Sequence, residues 1–110
     1  MSIYRSVPTK KIINGKITQT SQSIIVMQDS YETNGEDYII VKDIPFCHLK
    51  LNSQTTDRVQ IKALTNVLLE SDYIIDDEFD EIQLERGSAV ELVHINKKWF
   101  IMSSDGLKNS

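Results

Sequence analysis

The chain has 110 residues, enough for one domain whose core hides roughly 60–65% of the unfolded surface. Its net charge of −4 argues against general nucleic-acid binding, which needs a basic surface to neutralise phosphates. The single cysteine, Cys47, excludes an internal disulfide framework and a cysteine-based zinc centre, and no apolar run approaches the roughly 20 residues of a membrane helix.

The chain opens with MSIYRSVPTKK, which lacks the apolar segment of a secretory signal and fits synthesis in a cytoplasm. Residues 1–30 hold Arg5, Lys10, Lys11 and Lys16 against Asp29 alone, a local charge of +3. Their apolar residues come only in pairs over the first two dozen positions, so the segment reads as an extended, turn-rich arm. Short strands at KIIN or KIT would suit it. Tyr4, Arg5, Lys10, Lys11, Ile12 and Ile13 are the residues expected to dock such an arm on a neighbour.

From residue 23 the pattern is that of strands. SIIVM (23–27) and DYIIVKD (37–43) are short β-branched and aromatic runs between polar turn residues. HLKL places Leu49 and Leu51 on one face. RVQIKAL alternates Val59, Ile61 and Ala63 against Arg58, Gln60 and Lys62, the period of a half-buried strand. VQIKALTNVLLES also has a helical reading, but Val59, Thr65, Val67 and the flanking alternation favour strand–turn–strand. Cys47, beside Phe46, suits a small core position and falls on the opposite strand face from His48, so the two make a poor catalytic pair. YII and EIQL follow around an acidic turn, with Ile74, Ile75, Ile82 and Leu84 expected in the core. AVELVHI and KWFIMSS then form a hairpin through a tight polar loop at Asn96–Lys97, with Val90, Leu92 and His94 on one face and Trp99 as a buried anchor.

About eight short strands at regular spacing predict an all-β fold: a small antiparallel β-sandwich or barrel-like domain with an extended N-terminal arm. The predicted division is residues 1–30 as arm, 31–104 as β domain and 105–110 as C-terminal tail.

Residues 70–91 carry nine acids against Arg86, a local charge of −8. A calcium loop of the EF-hand type fails from Asp72 onward, since Ile74 occupies its third position and Asp77 its central glycine. A glycosidase pair needs a cleft that one tryptophan and a small β domain are poorly equipped to build. Asp76, Asp77, Glu78, Asp80 and Glu81 are therefore expected to form a charged surface that keeps a strand edge solvated, with no catalytic, cofactor or metal role. GxGxxG, P-loop, GxSxG and HExxH motifs are all missing from the sequence.

The order of elements over residues 35–104 resembles a small β module common in bacteriophage tail-fibre, baseplate and capsid-surface proteins. The resemblance is carried by DYIIVKD, HLKL, the polar connection NSQTTD, the Ile-Lys strand RVQIK, the turn Ile75-Asp76-Asp77, EIQL and the closing HINKKWFIMSS. Two positions depart from it: Asp57-Arg58 stands where a glycine is usual, and Asp77 replaces the glycine of the turn. The resemblance implies a non-enzymatic virion structural protein, made in the host cytoplasm and partnered by copies of itself and other virion proteins. It also leaves open a carbohydrate- or receptor-binding role at the virion surface, for which Tyr31, Tyr38, Tyr73 and Phe79 are the available aromatics, and a role as a capsid decoration protein.

Overall fold

The structure is a computed structural model that describes residues 22–106 in full and residues 2–5, 9–13 and 16–21 by their strand pairing alone. No helix occurs among the described residues, and the all-β class read from the sequence holds. Two sets of strands alternate along the chain. β4 (Ser23–Met27), β6 (Tyr38–Val41) and β8 (Arg58–Ala63) lie side by side in parallel. β5 (Ser30–Glu32), β7 (Phe46–Leu51) and β9 (Asn66–Ile75) form a second parallel set.

Each strand therefore pairs with the next but one, and the chain winds as stacked rungs with one strand in each set. The sheet is mixed, so the expected antiparallel sandwich or barrel-like domain holds as an all-β fold while these six strands run parallel within their sets. The physical reason lies in the connections at Gln28–Asp29, Lys42–Pro45 and Leu64–Thr65. They act as corners that carry the chain across to the opposite set instead of folding it back on its neighbour. Corner backbone groups bond to the corner beneath: Lys42 N–H to the Val26 carbonyl at 3.0 Å, His48 N–H to the Asp29 carbonyl at 2.8 Å and Leu64 N–H to the Val41 carbonyl at 2.8 Å.

Antiparallel pairing begins where the rungs end. β10 (Phe79–Leu84) folds back on β9, while β11 (Ala89–Ile95) covers β8 and pairs with β12 (Lys98–Asp105). β12 reaches β9 through Trp99 opposite Ile75, so the two sets become one sheet bent into a U. β1 (Ser2–Arg5) runs antiparallel along β4 at the opposite end of this sheet, and β2 (Thr9–Ile13) pairs with β3 (Lys16–Ser21) in a separate hairpin. The segment read as an arm up to residue 30 thus gives its last part, β4, to the main sheet, where Ile24 and Val26 are buried.

The core fills the U. In one set Ile24, Ile39 and Ile61 stand in register, continued by Val90; in the other Cys47 aligns with Val67 and Leu84, and Leu49 with Leu69 and Ile82. All of these except Ile82 are fully buried, and Ile82 packs against the cluster. Burying each such aliphatic side chain stabilises the fold by about 1.5–3 kcal/mol before entropy is counted. Cys47, His48, Leu49, Leu51, Val59, Ile61, Ala63 and Trp99 fall on the faces that alternation predicted.

The far corner is polar and closed by hydroxyls. Asn52 N–H donates to Thr33 Oγ1 at 2.9 Å, Thr55 Oγ1 to the Thr33 carbonyl at 2.8 Å, and Gly35 N–H to Thr56 Oγ1 at 2.9 Å. Gly35 has φ +86°, and a Cβ there would meet the Thr55 carbonyl at 3.3 Å, so glycine is required by both conformation and space. Buried Glu36 accepts from the Tyr31 hydroxyl and from Asn34 N–H, so its charge lies within hydrogen bonds.

Candidate functional site

The acidic stretch of the sequence becomes a bulged hairpin. Glu70 stands opposite Glu81 and Ile75 opposite Phe79, so Ser71 to Ile74 face only Asp80 across the pair. Asp72, Tyr73 and Ile74 are exposed in this stretch, Ile74 at 38%; the period of two from Val67 and Leu69 to Ile75 leaves Ile74 on the outer face, which corrects the expectation that it joins Ile75 in the core. Ile75 and Leu84 enter the core as expected, and Phe79 packs against it. Asp76 (φ 53°) and Asp77 (φ 57°) form the turn, closed by Glu78 N–H to the Ile75 carbonyl at 3.0 Å. Two consecutive left-handed residues match the twist of a hairpin. Asn96 (φ 52°) and Lys97 (φ 63°) do the same between β11 and β12.

These acids are tied to the neighbouring β12. Asp76 Oδ1 accepts from Ile101 N–H at 2.9 Å, Asp76 N–H donates to the Trp99 carbonyl at 2.8 Å, and Asp77 pairs with Lys98 Nζ at 2.8 Å. Asp76, Asp77, Glu78, Asp80 and Glu81 are all exposed. Among the described residues, no three His, Cys, Asp or Glu side chains converge to hold a metal ion.

The bulge also builds a cluster that strand alternation did not reveal. Asp72 accepts from Ser53 N–H at 2.8 Å, from Ser53 Oγ at 2.6 Å and from Trp99 Nε1 at 2.9 Å. Burial pushes its carboxyl upward, but the bonds from Ser53 and Trp99 outweigh this and hold it below the ordinary carboxylate range. Trp99 is fully buried, so Asp72 supplies the acceptor that its indole N–H needs. His94 packs edge-on to Trp99 at 5.3 Å between ring centroids and against Tyr73 at 5.4 Å. Its Nε2 is buried with no hydrogen-bond partner among the described residues.

A second feature lies on the outer face of the β5–β7–β9 set. Outward positions Glu32, Lys50, Glu70 and Glu81 stand in register across four strands, and Ser30, His48, Leu68 and Gln83 form the adjacent row. His48 Nε2 lies 2.9 Å from Glu70 Oε2, and Glu32 accepts from Asn52 Nδ2 at 2.6 Å. Gln28, Ser30, Tyr31, Glu32, His48, Lys50 and Glu70 line a shallow, open groove there. Register alone brings His48 and Glu70 together, a pairing that sequence spacing shows only once the rung length is known.

Cys47 is fully buried, and burial, helped by the nearby charge of Asp29, pushes its thiol up to about 11. A thiol so protected stays protonated and acts as a small apolar side chain. Of the aromatics available for receptor contact, Tyr38 and Tyr73 are exposed on different parts of the sheet, and Tyr31 and Phe79 are packed against the core. The docking candidates Tyr4, Arg5, Lys10, Lys11, Ile12 and Ile13 lie outside the residues whose side chains are described; their strands are β1 and β2. Neither the protein-family models nor the curated proteins give a match to this chain.

Proposed function

We propose that the chain is a non-enzymatic structural component of a bacteriophage virion, acting by assembly with copies of itself and with other virion proteins. The observation that carries this reading is the outer face of the β4–β6 pair. Ile25 and Ile40 are in register, Tyr38 follows on the same face at 45% exposure, and Tyr4 is the register partner of Ile25 on β1. An apolar row of this kind on a small sheet suits contact with another protein. The sites a catalyst would draw on have structural uses instead: Asp72 holds Trp99, Asp76 ties two hairpins, and Cys47 is core. The resemblance of residues 35–104 to phage surface modules supplies the virion context.

The test is mass spectrometry of purified particles from cells expressing Tyr38→Asp, with the wild-type chain as reference. Incorporation should fall while the melting temperature of the isolated protein stays within a few degrees, and equal incorporation would remove the assembly role of this face. The groove around His48, Lys50 and Glu70 favours a second reading, a carbohydrate- or receptor-binding module, because it gathers donors and acceptors beside Tyr31. A glycan array probed at high protein concentration decides that case.

A further inference from the structure

The sheet has three terminal strands: its path runs from β1 to β5, and β10 branches from β9. Among the described residues each of the three pairs with another strand along one edge only. An unpaired strand edge presents backbone donors and acceptors ready for another strand. The occupant that fits it is indicated by charge. Residues 76–85, the turn and β10, contain six acids and no base, and residues 1–21 contain Arg5, Lys10, Lys11 and Lys16 and no acid. Asp77 is matched by Lys98, but Glu78, Asp80 and Glu81 are exposed and form no ion pair among the described residues. The basic partner sequence Thr9–Ile13 is itself strand-forming.

We infer that the free edge of β10 receives the basic N-terminal segment of a second copy by strand addition, so that copies join head to tail. This rests on the assembly reading above and names one partner and one contact for it. Backbone ladder bonds would give the contact its strength, and attraction of Lys10 and Lys11 on the added strand, and of Lys16 on the strand beside it, to Asp80, Glu81 and the turn residue Glu78 would set its direction. Because donor and acceptor surfaces differ, the contact closes as a twofold dimer when two copies exchange arms and otherwise generates a larger ring or a filament.

The experiment is sedimentation of the full-length chain at low salt and at about 1 M salt, where charges more than about 3 Å apart are screened. The wild type should show a concentration-dependent mass increase at low salt that shrinks at high salt as the charge pairs are screened. Two triple variants are compared with it: Lys10→Glu/Lys11→Glu/Lys16→Glu and Glu78→Lys/Asp80→Lys/Glu81→Lys. Each alone should associate about tenfold more weakly or worse, and an equimolar mixture should recover association, since opposite charges again meet. A wild type that stays monomeric, a variant that assembles like the wild type, or a mixture that stays monomeric would overturn the inference. Circular dichroism checks that each variant is folded. If the lysine variant is not, Glu78→Gln/Asp80→Asn/Glu81→Gln replaces it, read by the loss of association and salt dependence alone. Particle incorporation is scored separately, so docking on another virion protein can survive the failure of this contact.

Discussion

The stacked rungs and the end that closes them solve one problem in different ways. Between residues 38 and 69 the fold is repetitive: Ile39 sits on Ile61, Leu49 on Leu69, and each rung offers the next much the same surface. At the closing end Trp99 bridges the two sets, and its indole depends on a carboxylate in the stretch of β9 where pairing with β10 is irregular. Stability is shared among many similar side chains in the first region and concentrated in a few dissimilar ones in the second. One substitution should therefore be tolerated differently in the two places.

Trp99→Ala should have the largest effect, about 3–5 kcal/mol lost in urea unfolding, because it empties the bridge and strands Asp72. Leu49→Ala or Leu69→Ala should cost about 2–4 kcal/mol in the same assay, with rungs above and below able to close in partly. If the rung variants proved as costly as Trp99→Ala, the contrast between distributed and concentrated stability would fail. Gly35→Ala comes next at about 1–2 kcal/mol, from its positive φ and the Thr55 carbonyl that its Cβ would meet.

Asp72→Asn sharpens the comparison through pH. The folded carboxyl titrates below its ordinary value of 3.8, so its contribution is fully present above that pH and is lost as pH falls through the folded value. The wild type should lose stability over that acid range more steeply than Asp72→Asn, and parallel acid profiles would show that Ser53 and Trp99 do not favour the ionised form. The smallest effect belongs to Asp77→Asn, which removes the charge facing Lys98 but keeps a residue suited to the positive φ, and should change stability by about 0–1 kcal/mol.

Much of the core was legible in the sequence because a strand's period of two is unforgiving. Val59, Ile61 and Ala63 could face only one way together, as could Leu49 and Leu51. Strand direction was harder to read, since a bend across the U and a hairpin use similar polar residues. The signal that speaks for parallel stacking is the recurrence of Ile-Ile-Val at 24–26 and again at 39–41, which places like on like. The bulge left no such trace: Ser71 and Asp72 look like ordinary strand residues, and the expectation of a buried Ile74 rests on its apolar side chain alone, since the period of two from Leu69 to Ile75 leaves it outside. The Asp72 cluster was hidden for a related reason. Ser53 and Trp99 lie 19 and 27 residues from it, so only the fold brings them together.

The rung is also a unit of length. Residues 37–58 begin and end at equivalent points of the winding, with Ile39 and Leu49 facing Ile61 and Leu69 of the following turn. A duplicated copy of that segment would meet compatible surfaces on both sides and lengthen the body by about 4.8 Å, the spacing of adjacent strands. Its two ends would stay unchanged. Selection acting on such a chain can set the height of its body by adding or deleting whole turns, in steps as regular as the marks on a ruler.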